Sequence, residues 1–270
     1  MKKLFSILAA AAVLTSALVS TFIFGACTPE EKIIRIAASA NPHAIILRAI
    51  EQELNNQGFE LEIFEQGWEL QNNVLAGGDV IANFFQHRPF LNNWNIQNNQ
   101  NLVAHAGIHF EPLGIFQGAR SDLNSLVSGD RIIFPNDATN GTRALNLLEK
   151  HGLVNWIGGE EARNNVLSNW QTTTQGVTLY PVAAATLTSH RQEAALAVIN
   201  GNWALQGNIV DLRLVYETDE VGAAYTNVIA IRAGTQNDPR IIALTNALQS
   251  EHVKNHISTQ FQGMLVANFD

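Results

Sequence analysis

The run Phe134-Pro135-Asn136-Asp137-Ala138-Thr139-Asn140-Gly141-Thr142-Arg143-Ala144-Leu145 ends an apolar segment, turns through polar residues and opens a helix. With Asn140 or Thr139 as cap, the helix starts near Gly141 or Thr142 and Arg143 falls in its first turn. A cation there opposes the helix dipole, at a cost of roughly 0.3–1 kcal/mol, unless something negative sits nearby. Two readings stay open. In one, Arg143 and the free N–H groups of the helix start hold an anion such as a carboxylate, gripped through two parallel hydrogen bonds. In the other, Arg143 is a surface arginine paired with an acid.

A second group is Ala82-Asn83-Phe84-Phe85-Gln86-His87-Arg88-Pro89-Phe90, with Trp68 on a loop upstream. Flat rings at the end of an apolar strand suit an apolar or thioether side chain, although alternation sends one of Phe84 and Phe85 into the core. Asn200 and Asn202 flank Gly201 after a buried strand, and Asn227 enters another apolar run. An amide donates and accepts, which suits both ends of a zwitterion. Asn-Gly pairs also serve as plain turns, so for Asn200 and Asn202 that alternative remains.

The third group is His105-Ala106-Gly107-Ile108-His109-Phe110-Glu111. On a strand, His105, His109 and Glu111 share one face, and with His87 they offer the ligand types zinc accepts. The tight C-x-x-C and H-E-x-x-H spacings are absent. So are a G-x-S-x-G elbow, a P-loop and a G-x-G-x-x-G turn after a strand, which leaves an exported hydrolase without a nucleophile motif and implies no cofactor.

These residues need a scaffold, and the hydrophobic periodicity predicts one. Strands are expected at Ile33–Ala38, 59–64, 80–85, 101–110, 131–134, 194–199 and 226–231. Helices are expected at 43–57, 70–77, 89–97, 141–151 and in one final helix opened by Asp238-Pro239, with Ile242, Leu244, Leu248, Val253 and Ile257 as its apolar positions. Strand-then-helix repeats predict an α/β fold of two lobes, each a mostly parallel sheet flanked by helices, with a ligand cleft between them. The expected lobes are residues 33–113 with 227–270, and residues 114–226, joined by crossings within 112–117 and 225–231.

The first residues read as a leader. Lys2 and Lys3 precede an apolar stretch from Leu4 to Phe24, and Gly25-Ala26 leads to Cys27, the only cysteine. Residues 1–26 are read as a lipoprotein signal peptide, Cys27 as the lipidated residue and 27–32 as a linker to the fold. That places the protein in the cell envelope, on a bacterial membrane by its lipid and outside the cytoplasm. A net charge of −8 without a basic stripe argues against nucleic acid as a partner.

Taken together, Pro42-His43-Ala44, Ala82-Asn83 with Phe85-Gln86-His87, His109-Phe110-Glu111-Pro112, Pro135-Asn136-Asp137, Arg143-Ala144-Leu145, Ala197-Val198-Ile199-Asn200 and Asp238-Pro239-Arg240 form an ordered pattern. Over nearly the whole mature chain it resembles the NlpA/MetQ-type methionine-binding lipoproteins. The resemblance implies a periplasmic-binding-protein fold of type II and delivery of L-methionine, or a related amino acid or short peptide, to the permease of an ABC transporter. It also implies a binding protein, not an enzyme. Arg143 would hold the ligand carboxylate, Asn200 and Asn227 its polar end, with Asn202 nearby. Trp68, Phe85 and His87 would line the side-chain pocket, and Glu111 would approach the site. Ile81, where the family has an acid, and Ala38-Ser39 at the first strand–helix turn depart from the family pattern, as does Trp68, which bears on pocket depth. The competing reading is a zinc-capturing lipoprotein using His87, His105, His109 and Glu111. On the carboxylate assignment, Arg143→Ala removes amino-acid binding and leaves the fold intact.

Overall fold

The structure is a computed structural model and describes residues 32–261 and 263–270; the leader and Cys27 lie outside the described residues. Ile-Ile-Arg-Ile-Ala-Ala forms strand β1 (Ile33–Ala38), and its near-continuous apolar run suits a strand covered on both faces. The chain continues through β2 (Glu60–Glu65), β3 (Ala82–His87) and β4 (Val103–Phe110). It then crosses by Glu111-Pro112-Leu113 into β5 (Gly114–Gln117) and β6 (Arg131–Pro135). A small ribbon, β7 (Val154–Trp156) and β8 (Trp170–Thr172), precedes β9 (Thr178–Val182), β10 (Leu196–Ile199) and β11 (Arg213–Tyr216). Residues 217–226 carry the chain back to β12 (Asn227–Ile231) and β13 (Val266–Ala267).

Among the described residues the larger sheet has the order β13-β4-β12-β3-β1-β2 and the second β11-β5-β10-β6-β9. Both are mixed, not mostly parallel as the strand–helix repeats imply. β1 is parallel to β2 and β3, and β6 to β9 and β10. β12 is antiparallel to both β3 and β4, and β5 to both β10 and β11. β5 and β12 are entered from the other sheet, where a right-handed βαβ crossover imposes no direction, and the short β13, reached from the last helix, is antiparallel to β4 as well. One apolar cluster runs from Ile34, Ile36 and Phe84 to Phe116, Ile133 and Ile199, so packing is continuous from sheet to sheet.

Local signals account for most element ends. Gly58 takes φ +83° just after the helix Glu51–Asn56, the left-handed conformation that glycine permits. The helix Ala138–Lys150 starts earlier than expected, because Asp137 and not Asn140 or Thr139 is its cap and accepts from the Asn140 N–H at 2.9 Å. Trp68 is not on a loop but opens the helix Trp68–Gly77. The single C-terminal helix is in fact two, Pro239–Leu248 and Glu251–Phe261, with Ser250 Oγ accepting from the Val253 N–H at 3.3 Å. Ile242 lies on the outer face of the first of these helices, at 45% exposure, while Ile241 and Leu244 of the same helix are buried.

The second sheet tolerates little at its turn after β5. A Cβ on Gly118 would lie 2.1 Å from the Ala194 carbonyl oxygen and 2.5 Å from that of Arg191. Gly118→Ala is therefore expected to lower unfolding free energy by roughly 1–3 kcal/mol, the usual cost of overpacking, in urea titration. An unchanged midpoint would show that this backbone yields.

Candidate functional site

The crossing segments meet at a buried ion pair. Arg143, 3% exposed, lies in the second turn of its helix, not the first, so its charge does not oppose the helix start. Its Nε donates to both oxygens of Glu217 at 2.9 and 3.0 Å. Its Nη2 donates to Glu217 Oε2 at 2.5 Å and to the Glu111 carbonyl at 2.8 Å. Glu217 also accepts the Leu113 N–H at 2.9 Å, and the Tyr225 ring lies 4.1 Å from the guanidinium carbon. One side chain from the helix thus binds both segments that join the sheets. Arg143 is neither a solvent-facing arginine nor a free guanidinium. Its Nη1 alone makes no hydrogen bond among the described residues.

Beside this pair lies a second polar cluster. Glu111 Oε1 is 3.1 Å from His109 Nε2 and 3.6 Å from His43 Nε2, and its Oε2 accepts the Asn202 backbone N–H at 2.8 Å. His43 Nε2 also lies 3.0 Å from Asn227 Oδ1. Burial pulls the pKa of His43 down to about 4, with His109 adding to the effect and Glu111 and Asn227 opposing it. Burial alone would push Glu111 up, but the His109 hydrogen bond, the His43 imidazole and the Asn202 N–H hold it below the usual carboxylate range.

The C-terminal end of β3 supplies the rings. Phe84 faces the core and meets His43 and His109 edge-on, with centroids 4.6 and 5.4 Å away. Phe85 meets Trp68 at 6.3 Å and Phe90 at 5.9 Å, and Trp68 meets Trp203 from the other sheet's side at 5.2 Å. Behind them, Asn72 donates to Gln86 Oε1 at 2.9 Å, and Asn72 Oδ1 accepts from Asn83 at 2.8 Å. This buried amide network fixes the Trp68 helix against β3. Trp68, Phe85, Gln86, His87, Phe90 and Asn140 enclose a void of only about 10 Å³, room for one water at most. As the walls stand, nothing larger than a water fits between them.

His87 ends β3 and caps the following helix, its Nδ1 accepting the Phe90 N–H at 3.1 Å. Its Nε2 lies 3.1 Å from Asn140 Oδ1, which also accepts from Asn200 Nδ2 at 2.8 Å. Burial first, and the Arg143 charge second, bring the His87 pKa down to about 4. Although Asn200 and Asn202 begin a short helix, neither side chain is spent on a turn. Asn200 Oδ1 and both amide atoms of Asn202 are buried without a hydrogen-bond partner among the described residues.

The expected zinc set is not assembled. His109 and Glu111 come together, but the third member is His43, while His87 and His105 stand apart from this group. A metal-bound imidazole nearly always donates its other N–H to an acceptor, and Nδ1 of both His43 and His109 is buried without one. The cluster fits a hydrogen-bond network better than a zinc site.

Sequence reasoning assigned no role to Glu217, Tyr225, Trp203 or Phe90, and saw His43 only within the family pattern. Glu217 sits between Tyr216 and Thr218 in a segment that reads as a solvated loop. It is 3% exposed, bonded both to the Arg143 helix and to the Leu113 crossing.

Comparison with known proteins agrees with this architecture. The model of the NlpA lipoprotein family matches residues 34–269. The methionine-binding lipoprotein MetQ of Bacillus subtilis is 29% identical over 241 residues, 87% of this chain and 88% of its own. A nutrient-binding protein from Burkholderia cenocepacia bound to methionine superposes with a TM-score of 0.82 at 28% identity, covering 87% of this chain and all of its own. A periplasmic substrate-binding protein of an ABC transporter from Coxiella burnetii gives 0.80 at 27% identity over 87% and 100% of the two chains.

The buried pair changes what Arg143→Ala does. Removing the guanidinium leaves Glu217 buried and unpaired, so the substitution is expected to cost about 3–5 kcal/mol instead of sparing the fold. Adding Glu217→Gln should recover most of that loss in urea titration; no recovery would mean that the pair is not the cause. A second expectation concerns acid. His43 and His87 have folded pKa values near 4 against 6.5 unfolded, so between these limits the unfolded chain binds more protons. Stability is then full above pH 6.5 and falls as pH drops toward 4, by on the order of 3 kcal/mol per histidine. Depression of Glu111 extends the loss to lower pH. Urea midpoints that stay flat from pH 7 to 4 would show that these imidazoles are not held neutral.

Proposed function

This chain belongs to the NlpA lipoprotein family, and from that premise we propose that its cleft captures L-methionine, or a related amino acid or short peptide, for an ABC permease. It is a substrate-binding lipoprotein of the ABC-transporter kind and not an enzyme. The observation that carries the ligand class is the set of buried amide atoms without partners at Asn200 and Asn202, beside aromatic walls from Trp68, Phe85, Phe90 and Trp203. Buried polar atoms cost free energy until something satisfies them, and a zwitterion brings both donors and acceptors.

In this reading the ligand carboxylate takes Arg143 Nη1, the guanidinium nitrogen left by Glu217 and the Glu111 carbonyl. Asn200, Asn202 and Asn227 read the polar end, with Glu111 behind them. Trp68, Phe85 and His87 enclose the tail, where sulfur against ring edges is mildly favourable. The lobes are residues 33–113 with 227–270, and residues 114–226, and closing them buries the ligand. Lipid on Cys27 holds the protein at the outer side of a membrane. Among the described residues no helix is long and apolar enough to cross one.

Thermal denaturation of the mature protein against L-methionine, D-methionine, other amino acids, short peptides and Zn²⁺ tests the reading. A ligand at 100 times its dissociation constant stabilises by about 2.7 kcal/mol, and L-methionine is expected to give the largest shift. A shift with Zn²⁺ alone, reversed by chelator, would replace this function with metal capture.

A further inference from the structure

We infer that Asn140 is the latch of the cleft, a positioning residue whose side-chain carbonyl receives hydrogen bonds from both sides and so sets how long a ligand stays. The inference rests on the amino-acid reading of the cleft given above. Asn140 is 1% exposed, and its amide can be oriented from its neighbours. Asn140 Nδ2 donates to both carboxylate oxygens of Asp137 at 3.1 Å, which fixes the NH₂ end toward the helix cap. The carbonyl end must then face the cleft, where Asn200 Nδ2 approaches at 2.8 Å and His87 Nε2 at 3.1 Å.

The histidine tautomer is fixed in the same way. His87 Nδ1 accepts from the Phe90 N–H, so the ring proton sits on Nε2 and points at Asn140. Asn140 and Asn200 belong to the side of the second sheet and His87 to β3 of the first. Separating the sheets breaks the His87 bond and spares the Asn200 bond. The Asn202 N–H bond to Glu111 Oε2 at 2.8 Å is buried too, but Glu111 lies on the crossing segment itself; the contacts farther from the crossings differ in kind. Trp68 and Trp203 touch through rings, and the Gln206 bond to the Asn41 carbonyl at 3.1 Å is exposed to competing water. The Asn140 bond is buried and directional, so it forms fully only when the walls are in register. It adds to the closed state and nothing to first encounter, so its effect belongs in dissociation.

Stopped-flow tryptophan fluorescence with L-methionine tests this on Asn140→Ala. The backbone N–H of Asn140 still reaches Asp137, so the helix start is kept. Loss of one net hydrogen bond should speed dissociation about tenfold, with association within about twofold. His87→Phe, which removes the cross-cleft donor together with the acceptor of the Phe90 N–H and keeps a ring against the tail, should likewise speed dissociation. Unchanged dissociation in both variants, or a loss confined to association, would overturn the latch. A ligand-free readout separates this from the function itself. Spin labels on exposed Gln97→Cys and Gln175→Cys, in a chain carrying Cys27→Ser, report the separation of the two sides. Asn140→Ala should move that distance distribution outward. An unmoved distribution overturns the latch even if methionine proves not to bind, whereas no response of the parent chain to any amino acid overturns only the amino-acid reading.

Discussion

A carboxylate and a guanidinium, each 3% exposed, sit between the two segments that join the sheets. Charges that deep are tolerable only when every strong donor and acceptor is matched. Glu217 meets Arg143 and the Leu113 N–H, while Arg143 meets Glu217 and the Glu111 carbonyl. Since 111–113 is one crossing and 217 begins the other, the pair ties the two crossings to each other and to the Arg143 helix. Everything in the cleft is positioned relative to that clamp, because Glu111 and Tyr225 lie on those same segments.

Around the clamp the cleft is built from groups kept neutral by burial or balanced by a partner. His43 and His87 stay uncharged at physiological pH, so each works as an oriented dipole: one toward Asn227 and Glu111, the other between the Phe90 N–H and Asn140. The charged groups of the region, Arg143, Glu217 and Glu111, each have a close partner instead. Asn200 Oδ1 and both side-chain amide atoms of Asn202 are buried without a partner, as are Nε1 of Trp68 and of Trp203 beside them.

The rings perform a different task. Trp68 and Trp203 come from opposite sides and touch, with Phe85 and Phe90 behind them. The amide network of Asn72, Asn83 and Gln86 braces one wall, so that wall moves as a unit with β3. Rigid walls and a small enclosed void make opening a displacement of whole elements, consistent with hinge closure.

The sequence by itself determined a great deal. Periodicity located β1, β3, β4 and β12 to within two residues, a helix expected at 141–151 and the start of the C-terminal helical segment, and Asp238-Pro239 and Gly58 act locally, needing no tertiary help. The ordered family pattern named the family. Tertiary structure alone decided strand direction, since β5 and β12 arrive from the other sheet, and no local preference encodes that. It alone chose His43 over His87 and His105 as the partner of His109 and Glu111, because ligand-forming proximity depends on pairings across 60 residues and more. It also turned Arg143 from a candidate free cation into half of a buried pair: Glu217 is 74 positions away, and burial of a charge is a property of everything packed around it.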